Sequence, residues 1–140
     1  MIEIGLSEYL KAQPAIMSLL TVAGNVTVCP IPAPEDLKQY PVIAYQGVSY
    51  TSDYANDGPV GVAQKRIVLN CWSQAEIDGG TYLQANTIRE AVRVALSGYQ
   101  GTFPDGTKVS LIEIDGEDDL FSSESRQYNL TLHCLVQYAE

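Results

Sequence analysis

Basic residues are scarce. Eight Lys and Arg stand against 17 Asp and Glu, for a formal net charge of −9. The eight are scattered, and only Lys65 and Arg66 are neighbours. A surface that binds nucleic acid by neutralising phosphates needs clustered cations, so this chain is not expected to bind nucleic acid in that way or with sequence specificity. There is one histidine, His133, and there are three cysteines, Cys29, Cys71 and Cys134. An odd count at wide spacing argues against a disulfide framework, and packed thiols in a reducing compartment are expected instead. No apolar run approaches the roughly 20 residues of a membrane span, so no membrane partner is expected. The opening MIEIGLSEYLKAQ has neither the basic nor the apolar segment of a signal peptide. Synthesis and use in a cytoplasm, or incorporation into a particle assembled there, is the expectation.

Chemistry-bearing motifs are equally sparse. No phosphate loop, dinucleotide fingerprint or G-x-S-x-G elbow occurs. A zinc site is disfavoured because no Cys pair has ligand spacing, and His133 and Cys134 are neighbours on an expected strand, pointing to opposite faces. A Cys–His nucleophile would need Cys71 or Cys134 in an electropositive, partly exposed setting, whereas both fall on apolar strand faces. Acidic residues gather at Glu113, Asp115, Glu117, Asp118 and Asp119, but they do not match a calcium loop. The plain reading is an acidic turn between two strands. The sharper alternative is a small metal-dependent hydrolase using that cluster. The overall expectation is no enzyme, no cofactor and no metal.

What is present is one domain's worth of chain. At 140 residues it spans a single domain, 1–140, able to bury roughly 70% of its unfolded surface. Leu6, Tyr9, Leu10 and Gln13 have helical spacing, and Pro14 opens a second short helix, PAIMSLL. Residues 26–31 read as a strand that runs into a loop punctuated by Pro30, Pro32 and Pro34. Residues 42–50 are rich in β-branched and aromatic types. Residues 63–73 alternate, with Ile67, Leu69 and Cys71 on one face and Arg66, Val68, Asn70 and Trp72 on the other. The main helix is expected within 76–97, starting firmly near Gly80, with a stripe of Ala85, Ile88, Val92 and Ala95 and a cap at Gly98. Ser73 and Glu76 have capping-box spacing. A hairpin is expected around Pro104-Asp105-Gly106. The last strand sets Tyr128, Leu130, Leu132, Cys134, Val136 and Tyr138 on one face.

This order predicts an α+β fold: a mainly antiparallel sheet of about four to five strands with two helical segments on one face. Two features exceed what such a fold needs. Tyr40, Tyr45, Tyr50, Tyr54, Trp72, Tyr82 and Tyr99 sit at turns and strand ends, and aromatics of this kind are enriched at protein interfaces. Residues 51–62, TSDYANDGPVGV, read as a loop longer than a hairpin requires. Both suit a protein that works by touching other proteins.

The stretches IGLSEYLKAQPAIMSLL, NDGPVGVAQKRIVLNCWS, ANTIREAVRVALSGYQGT and IDGEDDLFSSESRQYNLTLHCLVQY resemble the small tail completion, or tail terminator, proteins of long-tailed bacteriophages and prophages. The resemblance runs through nearly the whole chain. It implies a structural virion protein, neither enzymatic nor cofactor-dependent, that forms a homo-oligomeric, usually hexameric, ring. The ring would sit on the head-proximal end of the tail tube, stop polymerisation and dock to the head connector. Its partners would be tail tube protein and connector protein, with genome DNA passing through. A monomer before assembly, templated by the tube, is compatible with it. On this reading Asp53, Tyr54, Asn56, Asp57, Gly58, Pro59 and Val60 form a subunit or tube contact. Asp115, Glu117, Asp118 and Asp119 line the lumen or a ring face, where they would repel DNA phosphates. Another head–tail connector, or a minor tail component, is the alternative within the same setting. A small-molecule binding domain is a further one.

Overall fold

Alternation in the central strands decides the architecture. Ile67, Leu69 and Cys71 in one strand and Leu130, Leu132, Cys134 and Val136 in another are buried on a common face. A face of this kind must be covered, and helices cover it. The computed structural model describes residues 2–20, 28–30, 42–55, 58–73, 81–123 and 127–139. Among these the elements are α1 (Ile2–Lys11), α2 (Pro14–Leu20), β1 (Val28–Pro30), β2 (Val42–Ala55), β3 (Gly58–Trp72), α3 (Thr81–Leu96), β4 (Gly101–Thr102), β5 (Lys108–Ser122) and β6 (Gln127–Ala139). They form one six-stranded sheet in the order β1-β2-β3-β6-β5-β4. Only the β1–β2 pair is parallel. The fold is α+β and mainly antiparallel, as the sequence implies.

The helices follow from local chemistry. Pro14 has no N–H to offer the preceding turn, so the first helical segment breaks into α1 and α2. The α1 and α2 residues Leu6, Leu10, Ile16 and Leu20 enter the core. Of the expected α3 stripe Ala85, Ile88 and Val92 are fully buried, while Leu96 takes the fourth place in the core and Ala95 is half-buried beside it. Gly98 takes the left-handed conformation (φ 73°) that stops the helix, and its N–H donates to Ile112 O at 2.9 Å. Tyr9, Tyr99 and Phe103 close one end of the core as an aromatic cluster, with centroids 4.6–5.5 Å apart. The Tyr9 hydroxyl donates to Ala95 O, tying α1 to α3. The expected hairpin is present: Gly106 (φ 94°) turns the chain between β4 and β5.

Two expectations are corrected. Residues 51–62 are not a long loop. β2 continues to Ala55 and β3 begins at Gly58, with Tyr54 opposite Pro59 and Ala55 opposite Gly58. Pro59 is compatible with strand because it lies at the start of β3, beyond the last β3–β6 pair, Val62–Ala139. Register shifts near Val48 and Asp53 take up extra residues as bulges, which a reading by strict alternation misses. Asn56 and Asp57 lie outside the described residues, as does Glu76 of the capping-box reading. The second correction concerns Asp115–Asp119, which is not a turn. It lies inside β5, paired along β6 from His133 to Leu130. Its polarity imitates a turn, but ion pairs described below hold the charges in strand.

Because α3 is fixed by burial rather than by local contacts, Ile88→Ala should cost about 2–5 kcal/mol. Leu83→Ala, on the same helix but 69% exposed, should stay within about 0.5 kcal/mol. Urea denaturation of the two variants checks this.

Candidate functional site

The acidic strand divides its side chains between the two sides of the sheet. Glu117 and Asp119 reach the α3 side, and Asp115 and Asp118 reach partners on the opposite face. Arg89 projects from α3 with its side chain only 6% exposed. Its Nη1 donates to Asp119 Oδ1 at 2.5 Å and to Asp118 O at 3.3 Å, and its Nη2 donates to Asn86 Oδ1 at 3.2 Å. Glu117 Oε2 lies 3.8 Å from Nη2. Arg93, one turn on, also pairs with Glu117 and with Glu90. Tyr82 donates its hydroxyl to Asp119 Oδ2 at 3.1 Å. The Arg89 hydrogen bond, helped by that of Tyr82, holds the Asp119 carboxyl below its ordinary range. The same Asp119 contact raises the Tyr82 phenol.

On the other face Asp115 pairs with Arg66. Asp118 Oδ2 lies 2.8 Å from His133 Nε2, and the Asp118 N–H donates to the Thr131 hydroxyl at 3.1 Å. Each of the four acids singled out from sequence therefore has a cationic or imidazole partner. They do not converge: among the described residues no group of three His, Cys, Asp or Glu side chains is placed to hold a metal ion. Glu117 and Asp119 brace β5 against α3, and Asp115 and Asp118 tie it to β3 and β6.

Cys71 and Cys134 are buried, free thiols, each pushed up to about 12 by burial. A thiol so far from its thiolate is a packing group. The expectation that these two pack in the core is met. Cys29 lies in β1, and nothing is described of its side chain.

The hairpin residues are placed by their backbone. Asp53, Tyr54, Gly58, Pro59 and Val60 lie on the β2–β3 ribbon, and Asn56 and Asp57 fall outside the described residues. Among the described residues, β2 and β3 go on pairing beyond Val62–Ala139, as far as Tyr54–Pro59 and Ala55–Gly58. The hairpin residues and the acidic residues are thus on different parts of the sheet and do not form one site. Sequence reasoning missed Arg89. A signal for it exists: four residues after Ala85, it is an arginine inside an otherwise apolar helical stripe, which calls for buried carboxylate partners.

The two ionic sites should respond differently. Asp119→Asn leaves the buried Arg89 charge with one distant carboxylate, at a cost of about 1–3 kcal/mol. Asp115→Asn removes the partner of an Arg66 side chain that is 37% exposed, at a cost of about 0–1 kcal/mol. A lowered carboxyl stabilises the fold fully above its ordinary value of 3.8 and loses that contribution as pH falls through the lowered one. The difference between wild type and Asp119→Asn should therefore shrink below pH 3.8. Denaturant titrations at neutral and acid pH measure it.

Three comparisons with known proteins bear on this geometry. A search of curated proteins finds no match. Among solved structures, a chain from "Virion of native gene transfer agent (GTA) particle" superposes with a TM-score of 0.76 at 13% identity, covering 99% of this chain and 95% of that one. At that identity the likeness establishes a shared fold. The family described as "Tail completion protein gp17" matches residues 5–138, which takes in all of the sheet but Ala139 and all but the first turn of α1. The chain belongs to the tail completion protein gp17 family.

Proposed function

We propose that this protein is a structural virion component that caps the head-proximal end of a phage tail tube as a ring, ends tube polymerisation and offers the surface that joins the head. The observation that carries the proposal is the family match across residues 5–138. The shared fold with a chain of a gene transfer agent virion supports it. A ring of one protein, six-fold on this reading, needs two different patches on each subunit. The β2–β3 ribbon, with Asp53, Tyr54, Gly58, Pro59 and Val60, is suited to reach a neighbour or the tube. Asn56 and Asp57 belong to the same contact on this reading.

The acidic strand then takes a divided role. Asp115 and Asp118 share the sheet face opposite the helices, where DNA passing through the ring would meet negative charge and slide past. Glu117 and Asp119 hold α3 in place through Arg89 and Arg93. The partners on this reading are copies of the chain, tail tube protein and connector protein. Assembly takes place in the host cytoplasm before the protein enters the virion.

Native mass spectrometry over a concentration series, alone and with purified tail tube protein, tests the proposal. A discrete species of about six subunits, or tubes that stop growing when the protein is added, is the expected result. A protein that stays monomeric and leaves tube growth uncapped contradicts it.

A further inference from the structure

The sheet ends in two strand edges that no described strand covers. β1 pairs with β2 only from Ile43 to Tyr45, which leaves the outer edge of residues 46–55 without a described partner. On the other side β4 pairs with β5 only at Lys108 and Val109. Gly98 and Tyr99 bond Ile112, and the outer edge of residues 113–122 is left. The two uncovered stretches are equal in length. Natural proteins usually guard such edges with Lys, Pro or a cover. Residues 46–52, QGVSYTS, carry no charge and no proline. Residues 46–50 are all exposed, Val48 by 55% and Tyr50 by 52%. On the β5 side Leu120 and Phe121 are 55% and 45% exposed.

We infer that these edges are the two halves of one heterologous subunit contact, in which residues 46–55 of β2 pair antiparallel with residues 113–122 of β5 in the next copy. The inference rests on the ring reading and specifies how that ring closes. The direction follows from the ladders. β2 is antiparallel to β3, β3 to β6 and β6 to β5, so β5 runs opposite to β2. Rotating a copy about an axis near the strands brings β2 beside the neighbour's β5 in the antiparallel sense. Aligning the ends of the two stretches places Val48 opposite Leu120, an apolar pair of the kind that stabilises such ladders.

The geometry of closure is consistent. Within one subunit Gln46 lies level with Gly116, through Val68 and His133. Across the contact it lies beside residue 122, an offset of about six residues or roughly 20 Å. From one β2 to the next is four strand spacings, about 19 Å. The resulting tilt of about 45° is close to the 35–45° by which strands incline in closed barrels. Charge selects the partner. Two β5 edges together would set the five acids Glu113, Asp115, Glu117, Asp118 and Asp119 against the same five, whereas residues 46–55 bring a single charge, Asp53, which this register sets opposite Asp115.

The test is a chain carrying Val48→Cys and Leu120→Cys, oxidised after assembly alone or on tail tubes and run on a non-reducing denaturing gel beside wild type and both single variants. A ladder of cross-linked subunits up to the ring number, present only in the double variant, is expected. Val48→Lys should raise the concentration needed for assembly by about tenfold or more with an unchanged melting temperature, and adding Leu120→Glu should reverse it. Wild-type rings with no ladder, or unimpaired assembly of Val48→Lys, overturn the edge pairing while leaving the ring reading intact. A cross-linked dimer from Val48→Cys alone overturns it in favour of a two-fold β2–β2 contact. A wild type that forms no ring in solution or on tubes removes the ring reading and this inference together.

Discussion

Burial of one face of the β3–β6 pair is the constraint on which the rest depends. Ile67, Leu69 and Cys71 lie beside Cys134, Leu132 and Leu130 and make an apolar surface that water must leave. The α3 stripe Ala85, Ile88, Val92 and Leu96 covers it, with α1 and α2 filling one side. Each fully buried side chain of this size contributes about 1.5–3 kcal/mol. Once that face is closed, both outer strands are positioned. β2 is hung on β3 and β5 on β6, so the outer edges inherit their spacing and direction from the core.

The ionic layer is subordinate to this packing and refines it. Arg89 sits where α3 would otherwise present a fifth apolar residue to β5. Its buried guanidinium is retained because Asp119, Asp118 O and Asn86 accept from it. Removing one carboxylate leaves a charge in a dry place, which is why its partners matter more than those of Arg66. The layer also explains how four acids within five residues, Asp115, Glu117, Asp118 and Asp119, remain in one strand. Glu117 and Asp119 answer to α3, and Asp115 and Asp118 to Arg66 and His133, so like charges do not share a face unopposed.

Much of this was legible in the residues. The alternation of Ile67, Leu69 and Cys71 and of Leu130 to Val136, the α3 stripe, the break at Pro14 and the cap at Gly98 are local signals, and the structure keeps them. The extent of β2 and β5 was not legible. Bulges near Val48, Asp53 and Asp115 shift the period, Gly58-Pro59 imitates a loop, and DGEDD imitates a turn. In each case a neighbouring strand supplies hydrogen bonds, or a distant arginine supplies charge, that no window of sequence contains. The acidic cluster was visible, but its division between two faces depends on pairing with β6. The edges invoked for subunit contact were invisible for the same reason, since an edge is defined by which strands fail to pair.

The most direct test of the account is electron cryomicroscopy of tails assembled with this protein. The account predicts one ring of about six copies at a single end of the tube, with β2 of each copy beside β5 of the next and the helices on the outside. Copies spread along the tube, copies at the end that does not meet the head, or a ring whose β2 and β5 edges remain apart would contradict it.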